Sequence, residues 1–103
     1  MIARIWQGRT REEVADEYAA YLYEQGVKKL RATPGNRGVQ VLRRIHDGIA
    51  EFTTISYWGS RDEIRAYAGD DIEKTHHLPK DREYLLELPP YVKHVEVLVD
   101  ERS

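Results

Sequence analysis

Apolar and polar positions alternate in part from Ile2 to Gln7, and two longer runs, Val39 to His46 and Ile49 to Trp58, are rich in Val, Ile, Thr and aromatic residues. A period of two sends successive side chains to opposite faces of a pleated chain, so all three read as strands. Asp47-Gly48 lies between the second and third, and both residue types tolerate the positive φ values of a tight type I′ turn, which predicts a hairpin. Between the first two strands the period changes. Val14, Tyr18, Tyr21 and Leu22 recur at i, i+4, i+7 and i+8, the stripe of a helix with one face on a core. Thr10 to Glu13 (TREE) reads as a capping box at its start, Gly26 as a bend, Val27 and Leu30 as one more turn, and Thr33 to Gly38 (TPGNRG) as its stop.

A second capping box, Ser60 to Glu63 (SRDE), opens a second helix whose stripe is Ile64, Ala68 and Ile72, with Tyr67 alongside. Gly69 weakens that helix into two pieces, and Pro79 disfavours helical geometry at Leu78, placing the end near His77. Arg82 to Leu88 (REYLLEL) suggests a further helical turn, Tyr91 to Val99 a last strand, and residues 100–103 a frayed charged tail. The order predicts an α+β, ferredoxin-like βαββαβ sandwich: one domain over residues 1–99, with a four-stranded antiparallel sheet carrying its helices on one face. The other face then lacks cover. The sheet's apolar candidates, Val39, Val41 and Ile45, or Phe52 with Trp58, are too apolar to leave in water. The expected solution is a homodimer, two sheets packed into a dimeric α/β barrel.

Composition narrows the function. A length of 103 residues suits one domain, and a net charge of −2 gives no electrostatic reason to expect nucleic acid or an anionic membrane as partner. Cysteine is absent, which excludes disulfides, thiolate metal sites and cysteine nucleophiles, and agrees with a reducing cytoplasm. The start of the chain has no apolar run of signal-peptide length, and no later run approaches the ~18 apolar residues of a membrane span. A cytoplasmic protein is the expectation.

Three stretches carry a resemblance: Ala32 to Arg44 (ATPGNRGVQVLRR), Ile55 to Asp71 (ISYWGSRDEIRAYAGDD) and Tyr91 to Val97 (YVKHVEV). With a Trp ending the third strand ahead of a capped helix, the chain resembles the antibiotic biosynthesis monooxygenase (ABM) domain of the dimeric α/β barrel superfamily over nearly its whole length. The resemblance implies the fold and homodimer described above, and an oxidoreductase chemistry. One branch oxidises small aromatic or polyketide-like substrates with O2 and no cofactor, in a cavity between helices and sheet. Another binds and degrades haem through a helical His, with an Asn on the first strand and a Trp on the second helix. Carried over, the haem ligand falls on His77, nineteen positions after Trp58, while the Trp and Asn positions hold Tyr67 and Gln7. Haem binding by His77 is therefore one alternative, and a non-catalytic small-molecule-binding dimer is another.

Trp58, Tyr67 and His77 are expected to line one cavity, with Gln7 and Arg4 or Trp6 from the first strand. A histidine of ordinary pKa, ~6.5, is able to take a phenolic proton at neutral pH. On an unbroken helix Asp70, Glu73 and His77 would share a face. A solvated acidic face near a helix end is the simpler reading. His76 and His77 point about 100° apart on a helix and cannot both hold one ion, so no metal site is expected. His76, in line with Ile64, Ala68 and Ile72, reads as an edge-of-core residue. His94, between valines on the last strand, reads as an interface histidine if it faces the second sheet.

Overall fold

The first strand is longer than its alternation suggests, and that length organises the sheet. In the computed structural model, which describes residues 1–102, β1 runs over Ile2–Arg11. It pairs antiparallel with β3 (Ile49–Trp58) from Ile2 opposite Trp58 to Arg11 opposite Ile49. β2 (Asn36–His46) forms the expected hairpin with β3. Its turn residues Asp47 and Gly48 have φ of 52° and 75°, the pair of positive values a type I′ turn requires. β4 (Lys93–Glu96) adds to the other edge of β1, giving the order β2-β3-β1-β4 and the expected α+β ferredoxin-like fold. Ser103, the end of the expected tail, lies outside the described residues.

The ladder overrides the first capping box. Thr10 is fully buried, pairs with Ala50, and turns its hydroxyl to donate to the Arg11 carbonyl instead of capping a helix. The free amide of Glu12 is satisfied by the Gly48 carbonyl of the hairpin turn at 2.8 Å. A 3-10 turn (Glu12–Val14) then leads into α1 (Ala15–Leu22), a π turn (Tyr23–Val27) and α2 (Lys28–Ala32). The bend expected at Gly26 is that π turn.

The Ser60 half of the second capping box forms: Ser60 Oγ accepts from the Glu63 amide at 3.4 Å at the start of α3 (Arg61–Ala68). The helix does not continue toward His77. Gly69 adopts φ 83° and ψ −171°, a region open essentially to glycine alone, and the chain stays irregular up to α4 (Asp81–Tyr84). Asp70, Glu73 and His77 therefore share no helix face. Ile72 still reaches the core, carried by a segment tied to the stretch before β4 through Thr75 N to Pro90 O at 3.0 Å and Val92 N to Glu73 O at 2.9 Å. β4 is also shorter than Tyr91 to Val99. Beyond the Glu96–Ile2 pair a single bond from the Val97 amide to the Met1 carbonyl at 3.0 Å follows, and Leu98 and Val99 project into solvent.

Register assigns the faces. Ile2, Arg4, Trp6 and Gly8 of β1 lie opposite Trp58, Ser56, Thr54 and Phe52 of β3, and all of these face the helices. Val39, Val41 and Ile45 share that side too, with Val41 and Ile45 exposed at the β2 edge. Both apolar sets expected to need a partner thus belong to the helix side. The uncovered face is instead carried by Ile5, Leu42, Ile55, Tyr57 and Val95, interspersed with Gln7, Gln40 and Thr53. Under the helices the core falls into two clusters. One gathers Tyr18, Leu22, Phe52, Leu78 and Leu85, with Tyr18 meeting Phe52 edge-on at 5.1 Å; the other gathers Leu30, Trp58, Ile64 and Ile72.

Candidate active site

Between the two clusters the inner sheet face is polar. Arg4, Thr54 and Ser56 are buried there, and over them lies a cavity of about 40 Å3, room for a few waters. Trp6, Tyr18, Leu22 and Leu30 wall it on the strand and helix sides, Tyr67 and His76 on another, and the π turn contributes Gly26 and Val27. The local causes can be named. A methyl at Gly8 would stand 2.5 Å from the Trp6 ring, so only glycine lets the indole lie flat along β1 beside the cavity. At Gly26 a methyl would stand 3.2 Å from Leu22 Cδ1, which is why the π turn packs down onto Leu22 and Leu78.

Arg4 is the buried cation of the site. One terminal nitrogen donates to the carbonyls of Lys74 (3.0 Å) and Ile72 (3.4 Å), and the guanidinium lies 5.6 Å from the centre of the Tyr67 ring. Burial pulls its pKa below the ordinary arginine value, with Tyr67 and Glu73 opposing. Burial pushes the Tyr67 hydroxyl up, partly offset by Arg4. His76 packs against Tyr67 with ring centres 4.9 Å apart and planes tilted by 53°, its Nε2 3.3 Å from Lys29 Nζ. Burial first, then the Lys29 charge, lowers the His76 pKa, so the ring is neutral at pH 7. An ammonium has only protons to offer, so Nε2 accepts from Lys29 and Nδ1 carries the ring proton. On the far wall Tyr18 donates to Asp81 Oδ1 at 3.0 Å, while Asp81 Oδ2 accepts from the Leu78 amide at 2.9 Å. Burial, and then the Asp81 charge, hold the Tyr18 proton on by raising its pKa.

Of the residues expected to form the site, Tyr67, Arg4 and Trp6 line the cavity. Trp58 lies in the second cluster, its indole donating to Ser56 Oγ at 2.9 Å, directly beside the polar floor. Gln7 is exposed on the opposite sheet face. His77 points away, its Nδ1 3.9 Å from Asp81 Oδ2, and it is His76 that reaches the cavity. His94 faces the helix side next to Arg4, its side chain almost wholly buried and 3.3 Å from Glu73, so it does not face the open sheet surface. Two features had no clear signal in the pattern: the Tyr18–Asp81 pair, 63 residues apart, and the choice of His76 over its neighbour. Arg4 did leave one, as a charge in the inward register between Ile2 and Trp6.

The family model for antibiotic biosynthesis monooxygenase matches residues 1–77. The chain belongs to this family. The ABM match spans β1 through α3 and most of the cavity lining, from Arg4 to His76, and stops short of Asp81 and β4. Among solved structures, the chain is similar to a putative antibiotic biosynthesis monooxygenase from Bacillus cereus (13% identity, 100% of this chain and 98% of that one, TM-score 0.67). It is also similar to the haem degrader MhuD from Mycobacterium tuberculosis, whose structure holds two haems in its active site (16% identity, 99% and 100%, TM-score 0.65). At these identities the likeness is one of fold. No curated protein sequence matches the chain. Among the described residues no group of three His, Asp or Glu side chains is placed to hold a metal ion, and no helix is long and apolar enough to cross a membrane.

Proposed function

We propose that this ABM protein is a cofactor-independent monooxygenase that oxidises a small aromatic or polyketide-like substrate with O2 in the helix–sheet cavity. The observation that carries the reading is the convergence of Arg4, Tyr67 and neutral His76 on one cavity walled by Trp6 and Tyr18. An anthrone-type conversion illustrates the balance: a ring methylene and one O2 become a ring carbonyl and one water. Both methylene hydrogens leave in that water, together with one of the two oxygen atoms, and the other oxygen enters the product. The substrate itself supplies all four electrons, so no external reductant is required. What the protein supplies is orientation, exclusion of bulk water and removal of a substrate proton. His76, neutral at pH 7, is the group to accept that proton, at Nε2, once the substrate displaces the exposed Lys29 from that nitrogen. Tyr67 supplies a hydroxyl and an aromatic wall.

A benzene ring occupies a cavity of about 150 Å3, so substrate entry requires the wall to move. The wall that moves is the irregular segment 69–80, which carries His76 and Leu78 and has no helix of its own. The active unit is a homodimer closed on the open sheet face through Ile5, Leu42, Ile55, Tyr57 and Val95, with exposed Leu98 and Val99 reaching toward the second copy.

A haem-based alternative fits these residues poorly. His77 is absent from the cavity lining and has its Nδ1 3.9 Å from Asp81 Oδ2. A Soret shift on haem addition that disappears in His77→Ala would restore that alternative. The direct test is oxygen uptake with anthrone- and hydroquinone-type substrates. Protein-dependent uptake with quinone formation is expected, reduced at least ~10-fold in His76→Gln, in line with the loss of a general base. Uptake no faster than autoxidation overturns the proposal.

A further inference from the structure

Arg4 is 6% exposed, yet no carboxylate lies within ion-pair distance of it among the described residues. Glu73, the acid whose charge acts on it, is half-exposed and engages Arg61 at 3.5 Å and His94 at 3.3 Å. Asp81 lines the same cavity, but its two oxygens are taken by Tyr18 and by the Leu78 amide. Among the described residues, two carbonyl contacts from one terminal nitrogen are the only hydrogen bonds Arg4 makes, and its buried Nε–H meets no acceptor. The Thr54 hydroxyl, diagonal to Arg4 across the β1–β3 pair and also buried, likewise has no partner among them. Two neutral carbonyls and a ring face leave the charge of a buried guanidinium without a counter-charge and its Nε–H without an acceptor, and unmatched donors on the floor of a cavity mark where the missing acceptor sits.

We infer that the cavity floor is an oxyanion-binding subsite in which Arg4 Nε–H and the Thr54 hydroxyl take one oxygen of an organic anion with delocalised charge: a phenolate, enolate or carboxylate. The inference rests on the proposed oxygenase reading for its substrate, and deepens it. An aromatic substrate held by Arg4 is bound as its phenolate or enolate, the electron-rich form that gives electrons to O2. Arg4 then selects for substrates with an ionisable oxygen and against neutral rings. A planar guanidinium suits such an oxygen better than an ammonium, so lysine is not an equivalent replacement.

The test uses the intact 15N-labelled protein and follows the Arg4 side-chain Nε–H resonance, assigned by its absence in Arg4→Lys, during titration with two probes. Acetate is small enough to displace the cavity waters without opening the wall; 4-nitrophenol additionally requires an aromatic ring to enter. Both are expected to shift the Arg4 resonance. Bound 4-nitrophenol is expected to titrate about one pH unit below the free compound, a roughly ten-fold preference for the phenolate. Thr54→Val, which keeps the fold and the shape, is expected to weaken both effects. A shift with acetate but not with 4-nitrophenol supports the subsite and overturns the aromatic-substrate reading. Binding of 4-nitrophenol with its ordinary pKa and an unmoved Arg4 resonance overturns the subsite while leaving that reading in place. No response to either probe overturns the subsite, leaving Arg4 as an anchor for residues 72–74.

Discussion

Replacing Tyr18 with Phe removes one oxygen atom from the centre of the molecule and leaves the ring packing in place. Tyr18 is fully buried, edge-on to Phe52 and 5.4 Å from Tyr84, and those contacts survive in Tyr18→Phe. The variant loses only the 3.0 Å hydrogen bond to Asp81 Oδ1, an acceptor on a side chain that is itself buried. Asp81 Oδ2 keeps the Leu78 amide, so the loss is a single hydrogen bond to a charged group. The expected cost is about 2 kcal/mol, the middle of the range for such bonds, against about 3–5 kcal/mol if the whole ring were removed. For a domain of this length that corresponds to a fall in Tm of about 10 °C. Because the Tyr18 pKa is raised, the hydroxyl remains the donor throughout the range in which the protein is handled, and the loss is expected to be the same at neutral and mildly alkaline pH. Urea denaturation followed by circular dichroism, with a thermal melt beside it, reads both quantities. A variant within about 0.5 kcal/mol of the wild type, the scatter of ordinary surface substitutions, refutes the view that this pair holds the cavity wall.

Two further outcomes are expected. Burial lowers the pKa of both His76 and His94, so the unfolded chain takes up their protons near the ordinary value of 6.5 while the folded chain does so only at lower pH. Stability is therefore fully present above about pH 6.5 and lost as the pH falls from there through the lower folded-state values. Urea midpoints between about pH 5 and 8 should rise with pH in the wild type and flatten in the His76→Gln/His94→Gln variant; a flat wild-type profile contradicts the burial argument. Ile55→Asp places a carboxylate at the centre of the open sheet face, where a second copy would have to desolvate it. Sedimentation equilibrium should show a wild-type dimer and a monomeric variant, and a wild type that stays monomeric at about 10 μM removes the homodimer, whose interface would hold far more tightly than that.

Features set by neighbours along the chain were legible. The Asp47-Gly48 turn and the Ser60 cap depend on residues within four positions of each other, and both form as their chemistry predicts. Thr10 had equally good local chemistry and failed, because ten residues of β1 pair with β3 and the ladder claims Thr10 before a helix can. Gly69 was recognised as a weak point, but a stripe that continues to Ile72 resembles a continuing helix; in the structure an irregular segment brings Ile72 inward just as well. That one difference rotated the histidines. With no helix through Asp70 to His77, the spacing from Trp58 no longer says which ring turns inward, and His76 is the one that does.

By itself the sequence determined the element order, the hairpin and the α+β class, since each follows from side-chain period and turn stereochemistry within a short span. Only the tertiary structure decided which sheet face the helices cover, where α3 stops, and that Tyr18 meets Asp81 and Arg4 meets the carbonyls of residues 72 and 74. Those outcomes depend on contacts between segments about 60 to 70 residues apart, where competition for burial and for hydrogen-bond partners is settled by the whole fold and leaves no local period to read.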